Sequence, residues 1–153
     1  MAETATVFVT DSPEETEALG QALGETLSSC VVALTGDLGA GKTAFVRGLA
    51  RGLGFSGEVS SPTFAIVHEY VGGRLPLYHF DMYRVGSWED LDATGFFEYQ
   101  EQPAVLAVEW SENVENALPE RRLTVDIRRG ETDRQRRIAV TGVGGIAIEN
   151  LSR

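Results

Sequence analysis

The sequence predicts a layered α/β domain with a mixed central β-sheet flanked by helices. Three observations support this prediction. The apolar run Cys30–Leu34 has the composition of a strand that is buried on both faces. A segment in which apolar residues recur at helical spacing follows it, at Ala44–Leu53. Two alternating segments near the C-terminus, Leu123–Arg128 and Arg136–Val143, indicate antiparallel strands.

The other elements follow from local patterns of the same kind. Thr4–Thr10 alternates and is rich in β-branched residues, which predicts a strand. Asp11–Glu15 combines a capping side chain, a proline and two carboxylates, which is typical of a helix start. Gly72-Gly73 predicts a tight hairpin between two strands, Phe64–Val71 and Leu75–Phe80. The remaining predictions are a short helix that begins at Ser87, a strand at Ala104–Trp110 and a short helix at Ser111–Leu118.

Length and charge limit the class of protein. The 153 residues correspond to one domain, 1–153, with no repeat or linker. The net charge is −10, whereas a domain that binds nucleic acid by itself usually carries a basic patch. We therefore expect weak nucleic-acid binding by the chain alone. The C-terminal arginines favour a solvated strand pair, with a docking surface for a partner or an RNA backbone as the alternative: Arg121, Arg122, Arg128, Arg129, Arg134, Arg136 and Arg137.

Cysteine content and hydropathy point to a reducing, aqueous compartment. Cys30 is the only cysteine, so the chain forms no internal disulfide, and its apolar setting favours a small buried side chain. No window approaches the length of apolar sequence that a membrane span needs. The start of the chain is acidic and polar, unlike a secretory signal. We expect a cytoplasmic protein.

A glycine-rich motif lies between the predicted buried strand and the amphipathic helix. It reads Gly36-Asp37-Leu38-Gly39-Ala40-Gly41-Lys42-Thr43 and fits the P-loop pattern G-x-x-x-x-G-K-[ST]. Glycines let backbone N–H groups surround phosphate oxygens, and the helix N-terminus adds partial positive charge. Lys42 is expected to reach the β- and γ-phosphates, and the Thr43 hydroxyl to bind Mg²⁺. The motif predicts binding of a nucleoside triphosphate with Mg²⁺.

A P-loop also needs a carboxylate on the metal side, from a strand beside the first. Four apolar residues, Val105–Val108, run directly into Glu109. A carboxylate at the end of such a strand is costly unless it meets a cation or a strong donor. We predict that Glu109 is this Walker B-type residue; the alternative is a strand-end glutamate in water.

The segment His79–Arg84 ends the second strand of the predicted hairpin. Alternation predicts that His79, Asp81 and Tyr83 share one face. The pattern leaves two roles open for Asp81, which are to hold a Mg²⁺-bound or attacking water, or to form an ion pair with Arg84. His79 alone favours a hydrogen-bonded structural histidine.

The segment Ser60–Phe64 lies between the P-loop helix and the next strand. In P-loop GTPases a hydroxyl in the corresponding stretch senses the γ-phosphate through Mg²⁺. Thr63 is the candidate for that role. The alternative is a turn that begins a strand, with Pro62 setting the backbone angle.

Four motifs thus occur in a fixed order: Gly36–Thr43, Ser61–Phe64, His79–Arg84 and Glu109-Trp110. In a chain of this length the set closely resembles the TsaE (YjeE) family, the ATPases of bacterial tRNA threonylcarbamoyladenosine biosynthesis. The resemblance extends from about Glu14 to Val140. It implies the fold of a P-loop NTPase.

The resemblance also implies an activity and partners. Family members hydrolyse ATP with Mg²⁺, slowly when alone, and dock on a TsaB–TsaD heterodimer. That pair transfers a threonylcarbamoyl group to the adenosine beside the anticodon, so tRNA is met only through the complex. By the same resemblance, Thr63 belongs to a switch-like loop and Trp110 lies beside the nucleotide. The residues implied in phosphate binding, metal binding and hydrolysis are Lys42, Thr43, Asp81 and Glu109.

Other readings of the P-loop are a kinase, a GTPase or a binding module. A small kinase needs a lid that commonly carries arginines, and the region between the P-loop helix and Glu109 offers only Arg74 and Arg84. A GTPase is disfavoured because no Asn-Lys-x-Asp sequence follows Glu109. A module in which bound nucleotide only fixes shape differs from an ATPase in turnover alone. No arginine finger in cis is apparent from the sequence, so we expect slow turnover without a partner.

Overall fold

A computed structural model of the protein describes residues 5–36, 41–57 and 67–143. The strands within these residues form one seven-stranded mixed sheet. In chain order they are β1 Ala5–Thr10, β2 Cys30–Gly36, β3 Val67–Tyr70, β4 Leu77–Asp81, β5 Val105–Glu109, β6 Arg122–Arg129 and β7 Arg136–Val143. Across the sheet their order is β1-β7-β6-β2-β5-β4-β3.

The centre of the sheet is parallel and its two edges are antiparallel. Strands β6, β2, β5 and β4 run in the same direction. Strand β3 pairs antiparallel with β4, and β7 pairs antiparallel with both β6 and β1. The predicted α/β fold with a mixed sheet is therefore confirmed. Because the central strands are parallel, their carboxyl ends all lie at the same end of the sheet. Ligands bind at this end in α/β proteins.

Two of the helices begin at serine caps. The helices are α1 Pro13–Thr26, α2 Lys42–Gly52, α3 Trp88–Ala93 and α4 Phe96–Gln100, with a 3₁₀ helix at Ser111–Ala117. The Ser12 hydroxyl accepts the Glu15 N–H at the start of α1, and the Ser87 hydroxyl accepts the Asp90 N–H at the start of α3. Helix α4 was not predicted.

Glycines bring the backbones of α1 and α2 into direct contact. A Cβ atom at Gly48 would lie 2.0 Å from the carbonyl oxygen of Glu17, and one at Gly20 would lie 2.3 Å from that of Phe45. The same holds at the next turn of each helix, for Gly24 and Gly52. Such close packing admits no larger side chain without a backbone shift. The helix that carries Lys42 is thus held firmly against α1.

Each face of the sheet has its own hydrophobic core. One core joins α1 and α2 to the sheet and includes Leu23, Phe45 and Leu49. The other is rich in aromatic residues, where Phe80 and Phe96 meet with ring centroids 5.4 Å apart. Cys30 is half-buried against the first core, and burial raises the pKa of its thiol to about 11, with Arg121 opposing the shift. The thiol is therefore protonated near neutral pH and a weak nucleophile.

The connection between β3 and β4 is not the predicted tight hairpin. It spans residues 71–76 and folds onto the end of α2. The N–H of Arg74 donates to the carbonyl of Leu53 at 2.7 Å, and a Cβ at Gly73 would lie 2.1 Å from the same oxygen. Gly73 thus allows close approach to α2, whereas Gly72 has open space around it and adopts a positive φ of 112°. The beginning of the predicted strand, at residues 64–66, lies outside the described residues.

Three further predictions need correction. Strand β4 ends at Asp81, so the exposed Tyr83 lies in the turn beyond it and not on the face of His79. Strand β5 ends one residue early because Trp110 adopts a left-handed conformation with φ of 59°. The helix after it is 3₁₀ and is kinked at Val114.

Candidate nucleotide-binding site

The two ends of the P-loop are fixed by glycines. Gly36 ends β2 with φ of 117°, and a Cβ there would lie 2.0 Å from the carbonyl oxygen of Ile127 on β6. Gly41 precedes α2 with φ of 98°. Both conformations favour glycine, so the strand-loop-helix geometry depends on these two positions. The middle of the predicted motif lies outside the described residues: Asp37, Leu38, Gly39 and Ala40.

Lys42 is the first residue of α2 and is buried, with 6% of its surface exposed. Its ammonium nitrogen lies 5.6 Å from the centroid of the Trp110 ring, a cation–π distance. The Trp110 ring also packs against Tyr83, at 4.8 Å between centroids. The next residue, Thr43, is half-buried on α2. The structure thus brings Lys42 and Trp110 together.

Asp81 and Glu109 are the last residues of neighbouring parallel strands and are paired in register. Glu109 is also paired with Leu34 of β2, so it lies beside the P-loop strand. Its side chain is only 15% exposed. The Asp81 carboxylate accepts the N–H of Tyr83 at 3.0 Å, which fixes the turn after β4. Two carboxylates therefore lie at the carboxyl end of the central strands, which is the end from which the P-loop emerges.

His79 lies two residues before Asp81, on the same face of β4, and is completely buried. Its Nε2 lies 2.5 Å from Oε2 of Glu109, whereas its Nδ1 is buried without a hydrogen-bond partner. The sequence suggested a hydrogen-bonded histidine but did not identify this partner, because the two residues lie on different strands.

A second carboxylate flanks the P-loop strand on its other side. Asp126 of β6 is paired in register with Thr35, accepts its hydroxyl at 2.7 Å, and accepts Nε of Arg128 at 2.8 Å. Burial raises the pKa of Asp126, but these two hydrogen bonds and the charges of Arg128 and Lys42 outweigh it, so the pKa is lowered. Asp126 was not among the predicted site residues.

An arginine from the far end of the sequence also reaches the P-loop. A Cβ atom at Gly41 would lie 3.8 Å from Nε of Arg136. The guanidinium donates to the carbonyls of Asp133 and Gln135, at 2.7 and 2.8 Å, which holds it near the start of α2. The sequence alone did not indicate an arginine at this place, because the register that brings it there is set by β6 and β7.

Comparisons with known proteins agree on one family. The family model described as "Threonylcarbamoyl adenosine biosynthesis protein TsaE" matches residues 10–138. The chain belongs to the TsaE family. This confirms the family resemblance that the four motifs indicated.

TsaE relatives match over most of their lengths. The chain is 43% identical to the tRNA threonylcarbamoyladenosine biosynthesis protein TsaE of Bacillus subtilis, over 94% of this chain and 92% of that protein. It is also 43% identical to the TsaE of Streptomyces coelicolor, over 82% and 89% of the two chains. The crystal structure of YdiB from Bacillus subtilis matches with a TM-score of 0.78 and 38% identity, covering 94% of this chain and 89% of that one.

The donor set of this TsaE chain suits Mg²⁺ bound with nucleotide. Within residues 5–36, 41–57 and 67–143, no group of three or more His, Cys, Asp or Glu side chains could hold a metal by itself. Mg²⁺ in phosphate sites needs only one or two protein ligands, because phosphates and waters supply the others. One hydroxyl at Thr43 and one carboxylate at Glu109 fit that requirement. Thr63, the predicted switch residue, lies outside the described residues.

None of the helices in the described part of this TsaE chain has both the length and the apolar character that crossing a membrane requires.

Proposed function

We propose that the chain is the Mg²⁺-dependent ATP-binding and ATP-hydrolysing component of the bacterial tRNA N6-threonylcarbamoyladenosine modification machinery. It acts in the cytoplasm with a TsaB–TsaD heterodimer. Membership of the TsaE family supports the pathway. The net charge of −10 supports indirect contact with tRNA, through the complex rather than by this chain alone.

The observation that carries the proposal is the contact of Lys42, at the start of α2, with Trp110, which follows Glu109, the register partner of Asp81. Lys42 binds the β- and γ-phosphates of ATP, together with backbone N–H groups of the loop and of the first turn of α2. The Thr43 hydroxyl and the Glu109 carboxylate would hold Mg²⁺. When bound, the ion neutralises charge on the phosphate oxygens.

The remaining residues act on water and on the switch. Asp81 lies opposite Glu109 and orients the attacking water for in-line displacement of ADP. Trp110 lies beside the nucleotide, where its ring contacts Lys42. Thr63 remains a predicted switch residue. Turnover by the chain alone is slow, and docking of the heterodimer raises it by ordering the switch-like loop.

The test is phosphate release from Mg·ATP, measured with the chain alone and with a TsaB–TsaD pair from the same source. Slow release that rises when the pair is added supports the proposal. ATP that binds without phosphate release in either condition contradicts it and favours a module whose shape nucleotide fixes. ADP formation without free phosphate contradicts it in favour of a kinase, whose acceptor would then carry the phosphate.

A further inference from the structure

The imidazole of His79 is more costly to bury than an apolar side chain in the same place. The residue is fully inaccessible to solvent and lies opposite Ala107 of β5 and His68 of β3. Its Nδ1 has no hydrogen-bond partner. A buried polar atom without a partner destabilises a fold, because it loses its hydrogen bonds to water. An unsatisfied buried group of this kind calls for an explanation other than core packing.

The contact of the other ring nitrogen, Nε2, with Glu109 provides such an explanation. An ionised carboxylate only accepts hydrogen bonds, so the Nε2 that lies 2.5 Å from Oε2 of Glu109 is the nitrogen that carries the proton. Nδ1 is then the unprotonated nitrogen, which agrees with its lack of an acceptor. The hydrogen bond from β4 engages Oε2 of Glu109 and not Oε1.

The backbone around Glu109 is fixed as well. Its carbonyl oxygen accepts the N–H of Met82 at 3.0 Å. The chain then turns through the left-handed Trp110, and the Ser111 hydroxyl donates to the carbonyl of Leu34 at 3.2 Å. With the backbone held on both sides, the carboxylate retains rotation about its side-chain bonds. The imidazole restricts this last freedom.

We propose that His79 is a positioning residue whose Nε2–H···Oε2 hydrogen bond holds the Glu109 carboxylate in the orientation that ATP hydrolysis requires. The role rests on the proposed ATPase function. Hydrogen bonds that orient a functional carboxylate or metal ligand commonly contribute about 10–100-fold to activity.

Two substitutions at His79 distinguish the effect of the hydrogen bond from the effect of the buried side-chain volume. His79→Leu removes the donor and leaves an apolar side chain, whereas His79→Gln keeps an amide N–H near the position of Nε2. We expect His79→Leu to lower kcat about 10–100-fold with ATP affinity within about twofold of the wild type. His79→Gln should recover most of the lost rate.

His68→Leu is the matched control. His68 is paired with His79 in register but makes its own contact with the Tyr70 hydroxyl, at 3.3 Å. Its substitution should leave kcat unchanged. An equal fall in kcat in both histidine variants would indicate general damage to the β3–β4 pair and would overturn the proposal.

A double-mutant cycle distinguishes positioning from a merely structural role. If His79 acts through Glu109, adding His79→Leu to Glu109→Gln should cause no further loss of single-turnover rate. Losses that multiply would overturn the proposal. A wild type that hydrolyses no ATP would overturn the proposed function and this role with it, whereas a hydrolysing wild type with an unaffected His79→Leu variant would overturn this role alone.

A measurement on the nucleotide-free protein checks the contact itself. Nitrogen-15 NMR of the imidazole should show the proton of His79 on Nε2, with a resonance that moves in Glu109→Gln and stays in place in His68→Leu. A proton found on Nδ1 would overturn the proposal.

Discussion

Two carboxylates flank the P-loop strand, one on each neighbouring strand, and their surroundings differ. Asp126 of β6 meets a hydroxyl from Thr35 and the guanidinium of Arg128. Glu109 of β5 meets an imidazole, which carries no permanent charge. The charge on the β6 side is therefore balanced within the chain. On the β5 side the described contacts of Glu109 include no lysine or arginine, so the charge of its carboxylate is available to the metal ion of the proposed site.

Lys42 lies between these two sides. Its charge contributes to the lowered pKa of Asp126, and its ammonium lies over the ring of Trp110, next to Glu109 in sequence. The lysine itself is buried. Each prediction below tests one part of this arrangement.

The largest effect should come from Lys42→Ala, which removes the cation common to both sides. We expect ATP affinity to fall at least about 100-fold, because Lys42 would bind both the β- and γ-phosphates and each hydrogen bond to a charged group contributes roughly 1.5–3 kcal/mol. Calorimetric titration with Mg·ATP measures this change. Arg51→Ala is the control on the same helix, since Arg51 pairs with Glu17 instead. Unchanged affinity in Lys42→Ala would remove the lysine from the site.

A smaller effect is expected from Asp126→Asn, which removes a paired charge on the β6 side. Its partner Arg128 is 61% exposed, so the pair should stabilise the fold by only about 1 kcal/mol near neutral pH. The pKa of Asp126 is lowered on folding, so this stability is present above its ordinary pKa of 3.8 and is lost as pH falls through the lower, folded value.

Urea unfolding at several pH values checks the sign. The difference in unfolding free energy between the wild type and Asp126→Asn should hold constant from about pH 7 to pH 5 and shrink below about pH 4. Asp92→Asn, an exposed position on α3, serves as the control. A difference that grows as pH falls below 4 would contradict the pairing of Asp126 with Arg128.

The smallest effect should be spectroscopic. The chain has two tryptophans, and Trp88→Phe leaves Trp110 as the only one. Mg·ATP should change the emission of this variant, because the proposed site places the nucleotide beside the Trp110 ring. Trp110→Phe retains the exposed Trp88 and should show no change. Constant emission from the Trp110-only protein, with binding verified by calorimetry, would contradict a position of Trp110 beside the nucleotide.

Features with local signals were predictable from the sequence. The buried strand β2, the glycine loop and the amphipathic α2 lie next to one another in the chain, so a window of some twenty residues is enough to identify them. Glu109 was equally visible, because four apolar residues precede one carboxylate. These signals placed the P-loop strand and the strand that ends at Glu109, and the two strands are parallel neighbours in the sheet.

Features that depend on distant contacts were not predictable. Gly48 and Gly20 weaken a helix by local propensity, and only the packing of α1 on α2 explains them. The pair Gly72-Gly73 predicted a tight hairpin turn because the sequence does not reveal the contact of Gly73 with Leu53. The same is true of Arg136 beside Gly41, which is reached through the pairing of separate strands.

The most direct test of the account compares Glu109→Gln with Asp126→Asn in one assay. Phosphate release from Mg·ATP would be measured for both variants and the wild type, each with the TsaB–TsaD pair and each checked for folding by circular dichroism. We predict that the rate of phosphate release falls about 100-fold or more in Glu109→Gln and stays within about threefold of the wild type in Asp126→Asn. Equal rates in the wild type and Glu109→Gln, or equal losses in the two variants, would contradict this prediction.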